Sequence, residues 1–149
     1  KIEKMTYKDL LMKHKLLVQI KDYFKDMEDV AAVYLFGSSA YGKEKETSDI
    51  DIAILLKPDI NPYRPVDIQL RAMSDLEMLL KKRVDVVLLG FADAILEHQI
   101  RKYGEVILDK KPRVRIVYEV NARKRYFDYS YRHDGYMKSL KHRILQAAR

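Results

Sequence analysis

The sequence predicts an α/β (α+β) domain with a C-terminal helical tail, and three observations predict it. Short runs of branched and aliphatic residues alternate with longer segments whose apolar positions recur every three or four residues. Gly or Pro punctuates the junctions at Gly37, Pro58, Gly90, Gly104 and Pro112. Beyond Pro112 the composition changes: Lys1 to Lys111 balances 19 basic against 19 acidic residues, whereas Arg113 to Arg149 holds 10 against 3 and so carries the whole net charge of +7. A partner attracted by charge, whether nucleic acid, acidic protein or membrane surface, meets that last quarter first.

The elements follow in order. Thr6 with Asp9 forms a capping-box pattern, and Met12, Leu16, Ile20, Tyr23 and Met27 mark one face of a helix over residues 6–28. Val30 to Phe36 reads as a buried strand stopped by Gly37. Ser39 to Lys45 is long enough for one or two helical turns, and Asp49 to Leu56 is a second strand halted by Pro58. A loop with Pro58, Pro62 and Pro65 precedes a helix from Val66 to Lys82, with Ile68, Met73, Leu76, Leu79 and Leu80 apolar. Arg83 to Leu89 is a third strand, Ala92 to Tyr103 a helix ended by Gly104, and Glu105 to Leu108 a fourth strand.

The tail divides two ways. As a helix over Arg113 to Tyr131, it carries one stripe of Ile116, Val120, Phe127 and Tyr131 and another of Tyr118, Ala122, Tyr126 and Tyr129. One stripe suffices to dock the helix on its own domain. The second either meets a partner, through Tyr118, Tyr126 and Tyr129, or is covered when Asp134-Gly135 folds the chain back. The organisation expected is therefore residues 1–112 as the body and 113–149 as a basic, tyrosine-rich tail of the same unit.

With 149 residues the chain is long enough to bury a core, and 48% hydrophobic content with 34% charged residues excludes a disordered polymer. The absence of cysteine excludes a disulfide framework and thiolate metal sites. No stretch is apolar enough to span a bilayer, and the first 15 residues lack a secretory pattern, so no membrane association and a cytoplasmic location are expected. His14, His98, His133 and His142 share no spacing that makes a metal cluster.

Asp49-Ile50-Asp51 is the most informative tripeptide. Side chains two apart on a strand share a face, so both carboxylates converge while Ile50 turns to the core. Two such groups repel and lose hydration, an arrangement a cation relieves, and oxygen-only ligands favour Mg2+ or Mn2+. An isolated Asp-x-Asp also fits a strand end capped in solvent. Gly37-Ser38 adds a phosphate cradle by composition, since Gly admits close backbone approach and N–H groups with a hydroxyl hold phosphate oxygens. Neither a Walker A loop nor a G-x-G-x-x-G fingerprint occurs. Asp85, at the start of the next strand, supplies a third carboxylate or else pairs with Lys81, Lys82 or Arg83.

Gly37-Ser38, ten intervening residues and Asp49-Ile50-Asp51 match G-S-x10-D-x-D, the signature of the DNA polymerase β nucleotidyltransferase superfamily. The fuller runs Phe36 to Gly42 and Ser48 to Ala53 resemble its minimal (MNT) branch, and the layout is similar to the MntA antitoxins of HEPN/MNT (MntA/HepT, type VII) toxin–antitoxin modules. The resemblance covers roughly residues 30–109. It implies the nucleotidyltransferase fold, a small mixed sheet with flanking helices, and Mg-dependent transfer of AMP from ATP to a tyrosine of a cognate HEPN ribonuclease toxin. It gives the nucleotide to Gly37, Ser38, Ser39 and Ser48, and the metals and catalysis to Asp49, Asp51 and Asp85. Tyr41 stands where an Arg is often found before the motif's second Gly, and Lys43 or Lys45 is the available substitute. The R-x4-6-H motif of the HEPN partner is absent, which places the chain on the antitoxin side of a hetero-oligomer, with the tail as docking arm and nucleic acid not a direct substrate. Competing readings are a non-catalytic antitoxin acting by steric binding and a nucleotidyltransferase with a small-molecule acceptor.

Overall fold

A computed structural model describes residues 6–37 and 49–148. Four strands form one mixed sheet in the order β3-β2-β1-β4, with β1 at Val30–Phe36, β2 at Ile50–Leu56, β3 at Val84–Leu88 and β4 at Glu105–Asp109. β1 runs antiparallel to both neighbours, and β2 and β3 are parallel. The parallel pair needs a crossover, which the helix α2 (Arg64–Leu80) supplies.

Helices cover both faces of the sheet, which is why β1 and β2 read as continuous apolar runs rather than alternating ones. On one face, Leu16, Ile20 and Phe24 of α1 (Tyr7–Phe24) and Ile68, Ala72 and Leu76 of α2 pack on Val33, Leu35, Ile50, Ile52, Ile54, Val84 and Val86. On the other, Ile100 of α3 (Ala94–Tyr103) and Tyr118 and Ala122 of α4 (Pro112–Ala147) pack on Ala31, Ala32, Tyr34, Ala53 and Leu55. The three alanines let α4 come close to the sheet. Among the described residues, no helix is long and apolar enough to cross a membrane.

The Thr6/Asp9 capping box forms as expected, with Thr6 Oγ1 accepting from the Asp9 amide and Asp9 Oδ2 from the Thr6 amide. Met12, placed on the core face by periodicity, is instead 43% exposed, because only the second half of α1 reaches the sheet. α1 ends at Phe24 rather than residue 28. α2 starts at Arg64, with Pro65 in its first turn and buried, where a proline needs no amide donor. Leu79, expected on the packed face, is 46% exposed. The largest departure is in the tail. Asp134-Gly135 makes no turn, and α4 runs unbroken for 36 residues, about 54 Å at helical rise. A single Gly costs about 1 kcal/mol in a helix, too little to break one this long.

That helix also chooses between its two stripes. Tyr118 and Ala122 are buried, while Ile116, Val120, Phe127 and Tyr131 face outward at 45–83% exposure. A polar network fixes the choice. Glu97, 2% exposed, accepts from the Tyr118 hydroxyl at 2.6 Å and from the Gly90 amide. Tyr34 donates to Glu119 at 2.6 Å, and Arg115 bridges Glu119 and Asp109. Burial and the neighbouring carboxylates push the Tyr118 and Tyr34 phenols upward, so both remain donors at any physiological pH.

Candidate active site

The site lies at the end of the sheet where β1 finishes and β2 and β3 begin. Parallel pairing places Asp51 directly beside Asp85, on strands about 4.8 Å apart. The Ile50 amide donates to the Arg83 carbonyl at 2.9 Å at the head of this pairing, and the Val84 amide donates to Glu77 Oε1 at 3.2 Å, tying the start of β3 to α2. Ile50, Ile52, Val84 and Val86 turn toward α1 and α2, and Asp49, Asp51 and Asp85 therefore share the opposite side. Asp51 is half-buried, and Asp49 and Asp85 are exposed.

Gly37 completes the geometry. It has φ of +71°, and a Cβ built there would stand 2.2 Å from Asp51 Oδ2. Only glycine both adopts this turn and leaves the Asp51 carboxylate room against the backbone. Phe36 pairs with Asp51 across the antiparallel ladder. Gly104, at the C-terminus of α3, closes the same end: its Cβ would meet the Ile100 carbonyl at 2.5 Å and the Leu35 carbonyl at 3.2 Å.

Burial pushes the Asp51 carboxyl upward, and the charges of Asp85 and Asp49 add to the shift. Among the described residues, the charges acting on Asp51 are those of the two neighbouring carboxylates. Among the described residues, no three His, Asp or Glu groups are gathered into a ready-made metal cage. The three carboxylates make a strip of hard oxygen donors, which fits Mg2+ or Mn2+, ions that keep several waters and take one or two carboxylates together with substrate phosphates.

Asp49, Asp51, Asp85 and Gly37 are thus brought together. Ser38, Ser39 and Ser48 lie outside the described residues, as do Tyr41, Lys43 and Lys45. The three tail tyrosines separate. Tyr118 is a correction to the expected partner surface: its ring is inside its own domain and its hydroxyl is spent on Glu97. Tyr126 is half-buried and stacks on His98 with ring centroids 3.7 Å apart, and Tyr129 is 41% exposed. Glu77 and Gly104 were not singled out from sequence. A Gly after a helix read only as a stop signal, and its close approach to Leu35 involves a residue 69 positions away.

A family model described as polymerase beta, nucleotidyltransferase matches residues 18–113, a span containing Gly37, Asp49, Asp51 and Asp85. The chain belongs to this nucleotidyltransferase family. The nucleotidyltransferase is 38% identical over 80 residues to the Methanocaldococcus jannaschii protein MJ1379, provisionally named a protein adenylyltransferase, covering 54% of this chain and 72% of that one. Its fold matches a chain of a toxin–antitoxin complex solved with AMP-PNP, at TM-score 0.65 and 20% identity over 85% of this chain and 96% of the other. It also matches a chain in the complex of tri-AMPylated Shewanella oneidensis HEPN toxin with MNT antitoxin, at TM-score 0.62 and 19% identity, covering 89% and 98%. At those identities the nucleotidyltransferase shares the fold of these structures.

Proposed function

We propose that this nucleotidyltransferase is an antitoxin that transfers AMP from ATP to a tyrosine hydroxyl of a HEPN ribonuclease toxin and thereby neutralises it. The observation that carries the reading is the strip of Asp49, Asp51 and Asp85 laid against Gly37 at one end of the sheet. The name of MJ1379 and the fold shared with AMP-PNP-bound and AMPylated toxin–antitoxin complexes support AMP as the group and a protein as the acceptor.

Asp49 and Asp51, with Asp85, would hold Mg2+, which supplies charge neutralisation to the triphosphate. Gly37 brings backbone close to Asp51, and with Ser38, Ser39 and Ser48 it is assigned to the phosphates. Asp85, the member of the trio on β3 and exposed there, takes the proton of the attacking tyrosine hydroxyl. The phenolic oxygen then bonds to the α-phosphorus as the bond from that phosphorus to its bridging oxygen breaks, and pyrophosphate leaves with the electron pair. No covalent enzyme intermediate is needed.

Incubation with α-labelled ATP, Mg2+ and a candidate HEPN ribonuclease toxin tests the reading. Label on a toxin tyrosine, lost with Asp49→Ala/Asp51→Ala, is expected. Equal labelling by both forms, or neutralisation that survives the double substitution, overturns it.

A further inference from the structure

The stripe of α4 that docks Tyr118 and Ala122 on the domain does not end where the domain does. At 3.6 residues per turn it continues outward through Tyr126, Tyr129, His133, Tyr136, Met137, Leu140 and Ile144. No charged residue falls on this line after Glu119. Tyr136 is 63%, Met137 48% and Ile144 59% exposed, and Tyr129 stacks on His133 with centroids 5.9 Å apart. Arg125, Arg132 and Arg143 border one edge, and Arg123 and Lys141 lie on the other with Asp134.

We infer that this distal stripe is the docking surface for an acidic protein bearing an apolar groove, and that the occupant is the toxin of the proposed function, on which the inference rests. The charge decides against a second copy of this chain. Residues 123–149 hold 8 Lys and Arg against 2 Asp, so pairing two stripes sets arginine edge against arginine edge. An apolar, aromatic line with an arginine rim has the composition of an interface anchor, and its complement is a groove rimmed with Asp and Glu. The stripe is continuous with the face held by Glu97 and Tyr34, so the partner sits on the α3 side of α4.

The test is calorimetric titration of the full chain with the HEPN toxin that it labels, beside light-scattering mass measurement of the chain alone. Three variants are compared: Met137→Glu/Ile144→Glu on the stripe, Phe127→Glu on the outer face, and Asp49→Ala/Asp51→Ala in the active site. The stripe variant is expected to weaken binding on the order of 100-fold, with the outer-face and active-site variants within a few-fold of the parent. Reversal of the rim by Arg125→Glu/Arg132→Glu, remote from the packed core, should weaken binding and flatten its salt dependence. Unaltered affinity of the stripe variant, failure of the parent to bind, or a dimer of the chain alone that the stripe variant dissolves each overturns the inference. Intact docking without AMP transfer overturns the catalytic reading and leaves the docking surface standing.

Discussion

Gly37 and Asp51 occupy one another's space in a way that only glycine permits. Gly37→Ala forces a Cβ into a carboxylate oxygen at a positive φ, and a cost of about 1–3 kcal/mol is expected for the strained backbone alone. Denaturant melts should show that loss together with loss of AMP transfer. Asp51→Asn should separate the two properties. Because burial, Asp85 and Asp49 raise the Asp51 carboxyl, the folded chain binds that proton more tightly than the unfolded chain. Ionisation therefore costs stability as pH rises through the carboxylate range. The Asn variant is expected to melt higher than the parent at pH 7, with the gain vanishing below the ordinary carboxylate range, and to be inactive. An Asn variant less stable at pH 7 would show that the carboxylates do not strain the metal-free chain. Asp49-Ile50-Asp51 announced itself in the sequence because its spacing equals the strand repeat. The Gly37 contact did not, because its partner is 14 residues away and arrives only through strand pairing.

At the scale of elements, α3 and α4 are joined through a buried carboxylate. Tyr118→Phe keeps the ring and removes the hydroxyl that donates to Glu97. Removing one partner of a buried bond leaves the other underpaired, so a loss of about 1–3 kcal/mol is expected in urea unfolding, with transferase activity retained. No loss would mean that the Gly90 amide alone satisfies Glu97. At the opposite end of the sheet, Asp29 gathers Lys57 at 3.1 Å and Arg64 at 3.0 Å, tying the start of β1 to the end of β2 and the first turn of α2. The Arg64 and Lys57 hydrogen bonds pull its carboxyl below its ordinary value. Its contribution is thus complete above the unfolded-state value and declines as pH falls through the lowered one. Asp29→Asn should lower the melting temperature at pH 7, with the difference shrinking as pH falls below the ordinary carboxylate range; being at the surface, the effect is expected to stay near or below about 1 kcal/mol. Strand and helix identities along this body were readable because each rests on local periodicity and on Gly or Pro at its ends. The start of α2 was not, since Pro65 is a loop signal in sequence and a first-turn residue in the helix.

As a whole molecule, the nucleotidyltransferase is a three-layer body with one helix that outgrows it. No residue of α4 after Ala122 is fully buried. Removing residues 131–149 should consequently shift the melting temperature by no more than about 2 °C while abolishing toxin binding. A larger shift would show that the distal helix stabilises the body. The charge arithmetic takes its meaning at this scale: a neutral body holds the acidic strip of Asp49, Asp51 and Asp85, and a basic arm reaches beyond it. Spacing alone determined the strand carrying Asp51, which begins at Ile50 just after Asp49, the capped first helix, the glycine before the second strand and the amphipathic tail, since each depends on neighbours a few residues apart. The sequence left two stripes on that tail equivalent. Tertiary structure chose between them, because the deciding partners are remote: small Ala31 and Ala53 admit α4, and Tyr34 and Glu97 reach Glu119 and Tyr118 across 85 and 21 positions. Burying a carboxylate is tolerable only where those donors converge, and that convergence is a property of the folded sheet rather than of any local stretch of chain.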